Sequence, residues 1–248
     1  ILKVKYTGPN VISAQICMDK YVFYTTMKEN GLPVLHKDLV NREVDVSFKG
    51  PYILKPRFGG SSIGVEVVSD YESVLKIVES SDLYTEGAVV EKYLENSEDI
   101  LIGVKNYPSL SLSEIEKPIK NETLFSYSEK YLENGGLEGS QRELPANLNN
   151  EITKKIISYV EKINSIIPTR GIFRYDFLVD GNDIYINEIN TIPGSHALYL
   201  WQNIDKSKYE LLNDIIDEAL SDDLTTWTTT GSDGLALKSA KDIQSKLG

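Results

Sequence analysis

Cysteine and histidine are scarce in this chain: Cys17 is the only cysteine among 248 residues, beside two histidines. A lone thiol cannot close an intrachain disulfide, and these residues cannot furnish an ordinary zinc site. Any metal must therefore be held by oxygen. Basic excess is missing too, since 26 Lys and Arg face 37 Asp and Glu, a formal net charge of -11. Phosphate backbones are bound by basic patches, and no Lys/Arg cluster occurs, so no nucleic-acid partner is expected. A nucleotide is not excluded, because its phosphates need only a few well-placed cations. No apolar run approaches the roughly 20 residues of a membrane span, and "ILKVKYTGPN" lacks the form of a signal peptide. No membrane partner and a cytoplasmic setting are the expectations.

What is present, 41% hydrophobic and 25% charged residues, is the profile of a soluble globular protein of one large domain or two small ones. "SAQICMDKYVFYTTMKENG" reads as one helix stopped by Gly31. "PYILKP" is a strand, followed by strands at 64–68 and 87–94. Between these, "SDYESVLKIVESS" places Ser69 three residues before Glu72, a capping-box spacing, and Val74, Leu75 and Val78 on one face. Two strands are expected over 98–120. Residues 120–147 show no sustained period and read as a long loop, the kind that serves as a lid. "NNEITKKIISYVEKINSII" is a helix with Ile152, Ile156, Val160, Ile163 and Ile167 at helical spacing. A helix at 207–220, a Thr-rich linker and a short amphipathic segment close the chain.

"IFRYDFLVDGNDIYINEIN" is two alternating runs around Asp-Gly-Asn, hence a hairpin. Alternation puts Arg174, Asp176 and Leu178 on one face, and Ile184, Ile186, Glu188 and Asn190 together on the returning strand. A three-residue loop, Asp180 to Asn182, would pair Arg174 with Glu188 and set Asp176 diagonally beside Glu188. Two carboxylates and an amide oxygen suit a hard cation such as Mg²⁺. For an isolated hairpin the plainer reading, an Arg174–Glu188 ion pair with Asp176 and Asn190 solvated, is the commoner outcome.

Lys55 ends a strand and precedes "PRFGGSSIGV", whose glycines permit backbone N–H groups to turn towards phosphate. The GxxxxGK[ST] spacing is absent, and most Gly-Ser stretches are plain turns. In "AVVEKYLENSED", Glu91 and Glu98 have the chemistry to bind an adenine amino group and ribose hydroxyls, with the backbone around Lys92 and Leu94 at the base edge. Taken alone, an acidic surface is the simpler reading. His196 in a loop is more often a packing residue than a catalytic one.

In order and approximate spacing, "YTGPNVISAQICMDK", "ILKPRFGGSSIGV", "VVEKYLENSED", "SEKYL", "RYDF" and "INEINTIPG" resemble the ATP-grasp superfamily, and within it the D-alanine-D-alanine ligase family, over roughly residues 4 to 200. The resemblance implies an α+β ATP-grasp fold, with two α+β subdomains gripping ATP between antiparallel sheets. It divides the chain into a lead-in segment and helix start (1–20), a small subdomain (21–95), a large subdomain with a mobile loop at 120–147 (96–220), and a linker with a C-terminal amphipathic segment (221–248). The family's N-terminal domain has no counterpart here.

The activity implied is ATP-dependent carboxylate-amine ligation through an acylphosphate, D-alanine dimerisation for peptidoglycan being the best specific case. The alternatives are another amino-acid or peptide acceptor, or a nucleotide-binding module without catalysis. By resemblance Lys20 and Lys55 contact ATP phosphates, Ser61 and Ser62 lie in a small lid over them, and Glu91, Lys92, Tyr93 and Leu94 form the adenine-side hinge with Glu98 at the ribose. Lys130 and Tyr131 match a Lys-Tyr pair of the mobile loop. Asp176, Glu188 and Asn190 fall on ligands of two Mg²⁺ ions, with Mn²⁺ a possible substitute. Arg174 falls beside the reacting carboxylate, Gly194 near the oxyanion, and Ser195 and Leu198 are acceptor-site candidates. Amino-acid substrates and a possible homodimer complete the implied partners.

Overall fold

The computed structural model describes residues 4–41, 45–119, 141–202 and 207–221. The helix expected near the start is two, α1 (Val11–Met18) and α2 (Lys20–Glu29). Asp19 divides them: its backbone is extended, and its carboxylate accepts from the N–H groups of Tyr21 and Val22, capping α2. Arg57 grips the same carboxylate at 2.6 and 2.9 Å, tying the helix start to the glycine-rich loop.

A first sheet has the order β1-β4-β2-β3, all neighbours antiparallel, from β1 (Lys37–Val40), β2 (Tyr52–Pro56), β3 (Glu66–Val68) and β4 (Ala88–Lys92). Helix α3 (Tyr71–Ser80) covers one face, where Val40, Tyr52, Leu54, Val74, Val78, Ala88 and Val90 form a core. Its N-cap is Asp70, which accepts from Ser73 N–H at 2.9 Å; Ser69, the expected cap, instead donates to Asp70. Because side chains alternate, the uncovered face carries Lys37, Lys55 and Glu91.

A second sheet has the order β7-β6-β5-β8-β9, from β5 (Glu98–Lys105), β6 (Ser111–Pro118), β7 (Arg142–Glu143), β8 (Ile172–Asp180) and β9 (Asp183–Asn190). Helix α4 (Asn150–Ile166), capped by Asn149 as its sequence predicts, lays Ile152, Ile156, Val160 and Ile163 into the main core with Ile100, Ile102, Phe173, Tyr175 and Phe177. Phe23 and Met27 of α2 join this core, so the helix that the resemblance groups with 21–95 packs with the second sheet. On the sheet's other face, α5 (Lys208–Ser221) and the turn at 194–200 close a small cluster of Ile172, Leu200, Trp201, Leu211 and Ile215. Lys105 and Asp214 pin α5 there at 2.7 Å.

The β8–β9 hairpin departs from its expected register. The loop is two residues, with Asp180 opposite Asp183 and Gly181 at φ +59°. Arg174 pairs with Asn190 and Asp176 with Glu188, and the ladder shifts between Asp176 and Phe177, leaving Asn187 as an extra residue. This bulge reverses the alternation. Ile184 and Ile186 face the core, whereas Glu188 and Asn190, expected on their side, face away from it. Residues 120–140, carrying most of the expected lid, and the C-terminal amphipathic segment lie outside the described residues.

Candidate functional site

The uncovered faces of the two sheets meet where Lys55 Nζ donates to Asn187 Oδ1 at 3.2 Å. On the second sheet the paired strands set Arg174 beside Asn190 and Asp176 beside Glu188, four side chains on one face. Arg174 Nε and Nη2 hold both oxygens of Asp176 at 2.8 and 2.7 Å. This bidentate grip runs along a single strand, and Glu188 adds a weaker attraction for the same guanidinium. Burial works against the Arg174 charge, but Asp176 more than offsets it and raises the guanidinium above its ordinary range. Asn190 Nδ2 donates to Asp176 at 3.0 Å and to Glu188 at 3.3 Å, so all three side chains converge.

The donor chemistry fits a hard divalent cation. Among the described residues no three of His, Cys, Asp and Glu gather as a metal group. Two carboxylates and an amide remain, which are the oxygen donors that Mg²⁺ takes. The Asn190 amide offers either its nitrogen or its oxygen by a simple flip.

On the first sheet, Glu91 is 1% exposed, with Lys37 on one carboxylate oxygen and Lys55 on the other. Burial alone would raise the Glu91 carboxyl; the two lysines outweigh it and bring it down to about 2. Burial likewise opposes the Lys55 charge, and Glu91 reverses the balance, so that ammonium sits above its usual range. At Lys37 burial prevails and lowers it, against the pull of Glu91. Lys20 Nζ donates to the Gly59 carbonyl at 2.8 Å, and burial lowers it despite the attraction of Glu188.

The loop between β2 and β3 has an uncommon backbone. Ser61 and Ser62 take left-handed φ of 56° and 58°, a conformation that costs an L-residue energy and tends to persist at functional loops. Gly64, at φ +70°, lies so close to Pro56 that a Cβ would come within 2.8 Å of its ring. After β4, Tyr93 N–H donates to Pro51 O at 3.0 Å, while its buried hydroxyl has no hydrogen-bond partner among the described residues. Lys92 is exposed and Leu94 half-buried. Glu98 accepts from Lys117 at 3.3 Å.

Past Pro193 the chain makes three consecutive left-handed residues, Ser195, His196 and Ala197, at φ near 50°. Gly194 and Ser195 are exposed, and Leu198 packs against the Trp201 cluster. His196 lines a small cavity with Thr7, Gly8, Gly171, Thr191 and Ile192. Lys130 and Tyr131 lie outside the described residues. Three residues at the site escaped sequence reasoning: Lys37, Asn187 and Glu116. Glu116 is buried in the same cross-strand row as Asp176, accepting from the Tyr199 hydroxyl at 2.8 Å. Only the alternating pattern of "LHKDLV" and "SLSEIEKP" hinted at their orientation.

Two antiparallel sheets, one presenting buried lysines and the other an acid-tipped hairpin, make this an α+β protein of the ATP-grasp fold. The family described as "D-ala D-ala ligase C-terminus" matches residues 14–220, and the chain belongs to that family. It is 32% identical over 212 residues to the D-alanine-D-alanine ligase of Thermosipho africanus, covering 81% of this chain and 57% of the relative. With the Campylobacter lari enzyme of the same name the identity is 33% over 204 residues, covering 81% and 58%. The chain thus spans less than two thirds of these curated relatives. Among solved structures, D-alanyl-alanine synthetase A from Vibrio cholerae superposes with a TM-score of 0.75 at 21% identity, covering 88% of this chain and 69% of that one. VanG D-Ala:D-Ser ligase from Enterococcus faecalis gives 0.70 at 22%, covering 86% and 64%. At these identities the structural likeness speaks to fold alone.

Proposed function

We propose that the chain is the nucleotide-binding and catalytic part of an ADP-forming carboxylate-amine ligase that joins D-alanine to a second amino acid in the cytoplasm. One observation carries the reading: a bidentate Arg174–Asp176 pair converges with Glu188 and Asn190 directly across the cleft from Lys55. Phosphoryl transfer depends on positioning and charge neutralisation, and these are the parts it needs.

In the reaction, a substrate carboxylate oxygen attacks the γ-phosphorus of ATP, giving an acylphosphate and ADP. The amine of the acceptor then attacks the acyl carbon, phosphate leaves with the bonding pair, and the amine proton passes to solvent or phosphate. Lys20 and Lys55 neutralise phosphate oxygens, and the backbone at Ser61 and Ser62 covers them. Glu91, Lys92, Tyr93 and Leu94 border the base, and Glu98 the ribose. Asp176, Glu188 and Asn190 would hold Mg²⁺, which when bound offsets charge on the phosphates. Arg174 orients the reacting carboxylate, the Gly194 backbone N–H faces the developing oxyanion, and Ser195 and Leu198 border the acceptor. Lys130 and Tyr131 are proposed to close the site and exclude water. The names of the curated relatives support D-alanine as substrate.

The test is ATP-dependent phosphate release with a panel of D- and L-amino acids, by this chain and by the whole product of its gene. Release with D-alanine is expected. Release only with another amino acid keeps the chemistry and replaces the substrate, and none with any amino acid overturns the ligase reading.

A further inference from the structure

We infer that Lys37, which belongs to none of the motifs above, is the positioning residue that frees Lys55 to serve an anionic ligand. The inference rests on the nucleotide reading of the cleft. Lys37 is placed by strand register, directly opposite Glu91 on the neighbouring strand. Lys55 reaches the same carboxylate from the other flank, from a position opposite Val89. The two lysines occupy different oxygens, Lys37 on Oε2 and Lys55 on Oε1. One buried carboxylate therefore serves two cations, and their immediate site is one negative charge short.

The two lysines differ in what else they touch. Lys37 is 4% exposed on an edge strand whose partner is Glu91 itself. Lys55 also contacts Asn187, the bulge residue next to Glu188, and so already leans across the cleft. Lys55 is the lysine placed to exchange Glu91 for a phosphate oxygen. Were it the sole partner, that exchange would strand a buried carboxylate without a cation, which is strongly unfavourable. Lys37 stays behind as donor to Glu91, so the exchange leaves no orphaned charge. The ligand class is a polyphosphate anion, and Lys37 acts on it through Glu91 and Lys55 rather than by contact.

A double-mutant cycle on ATP affinity, measured by calorimetry on the intact protein, tests this. Lys37→Met should weaken ATP binding by about tenfold or more, a change of about 1.4 kcal/mol per factor of ten, and Lys37→Arg should restore it. In a Glu91→Gln background, where no carboxylate can be stranded, Lys37→Met should change affinity by less than about threefold. Thermal unfolding verifies that each variant folds; should Lys37→Met fold poorly, Lys37→Gln replaces it in the cycle. Equal affinities for Lys37→Met and wild type overturn the inference. So does a loss of the same size with and without Glu91, which would mark a direct contact with phosphate. Wild-type protein that binds no ATP would overturn the nucleotide reading itself, a distinguishable result.

Discussion

Glu91 must be ionised for two lysines to share it, and that requirement ties stability to pH. Its carboxyl is lowered from an ordinary 4.5 to about 2, burial being overcome by Lys37 and Lys55. A depressed carboxyl contributes stability that is present above the unfolded value and is lost as pH falls through the folded one. The window is therefore pH 4.5 down to about 2. Denaturant midpoints should fall across that window, and Glu91→Gln should flatten the fall; an unchanged slope would show that Glu91 is not the linked group. Glu188 is a different case, half-exposed and facing away from the main core. Glu188→Gln keeps the shape and removes one negative oxygen from the proposed metal set. Its melting temperature should stay near that of the wild type while turnover falls by orders of magnitude, and near-normal turnover would refute the metal assignment.

Elements decide which of these residues could be read in advance. Helix α4 was legible because its Ile and Val residues recur at helical spacing behind an Asn cap, both local signals. The acid and amide set was legible as composition, two residues apart on one run. Its facing was not, because a bulge is set by how two strands fit, and one extra residue reverses every side chain beyond it. Lys37 carried no signal of its own, since nothing near it in sequence announces Glu91, 54 residues away. Asp19 broke an unbroken helical pattern because Arg57, distant in sequence, holds it. Deleting Asn187 should thus be far worse than changing it. Deletion would turn Glu188 and Asn190 towards the apolar core, burying a carboxylate among isoleucines, at a cost of several kcal/mol (~3–5). Asn187→Gly keeps the bulge and loses only the Lys55 contact. Thermal melts should show a large loss for the deletion and a small one for the glycine; equal losses would mean that the bulge does not set the facing.

For the molecule as a whole, a cleft with lysines on one sheet and carboxylates on the other has a specific weakness. The side chains named above leave one wall net positive and the other net negative; Glu188 attracts Lys20, Lys37 and Lys55 across the cleft, and the Lys55 hydrogen bond to Asn187 is to a neutral acceptor. A ligand carrying both phosphate and a divalent cation complements both walls at once, phosphate to the lysines and cation to Asp176 and Glu188. Either half alone complements one wall. Ligand that binds only the folded state stabilises it by ~2.7 kcal/mol at a hundredfold excess over Kd. For a chain of this size that corresponds to a rise of about 5–10 °C in Tm. Mg-ATP should produce that rise, while ATP with chelator or Mg²⁺ alone should each produce much less. Asp176→Asn should make ATP with and without Mg²⁺ equivalent, because it weakens one wall only. A full shift by ATP in chelator would place the binding energy on the lysine wall and leave the hairpin acids without a part in nucleotide binding.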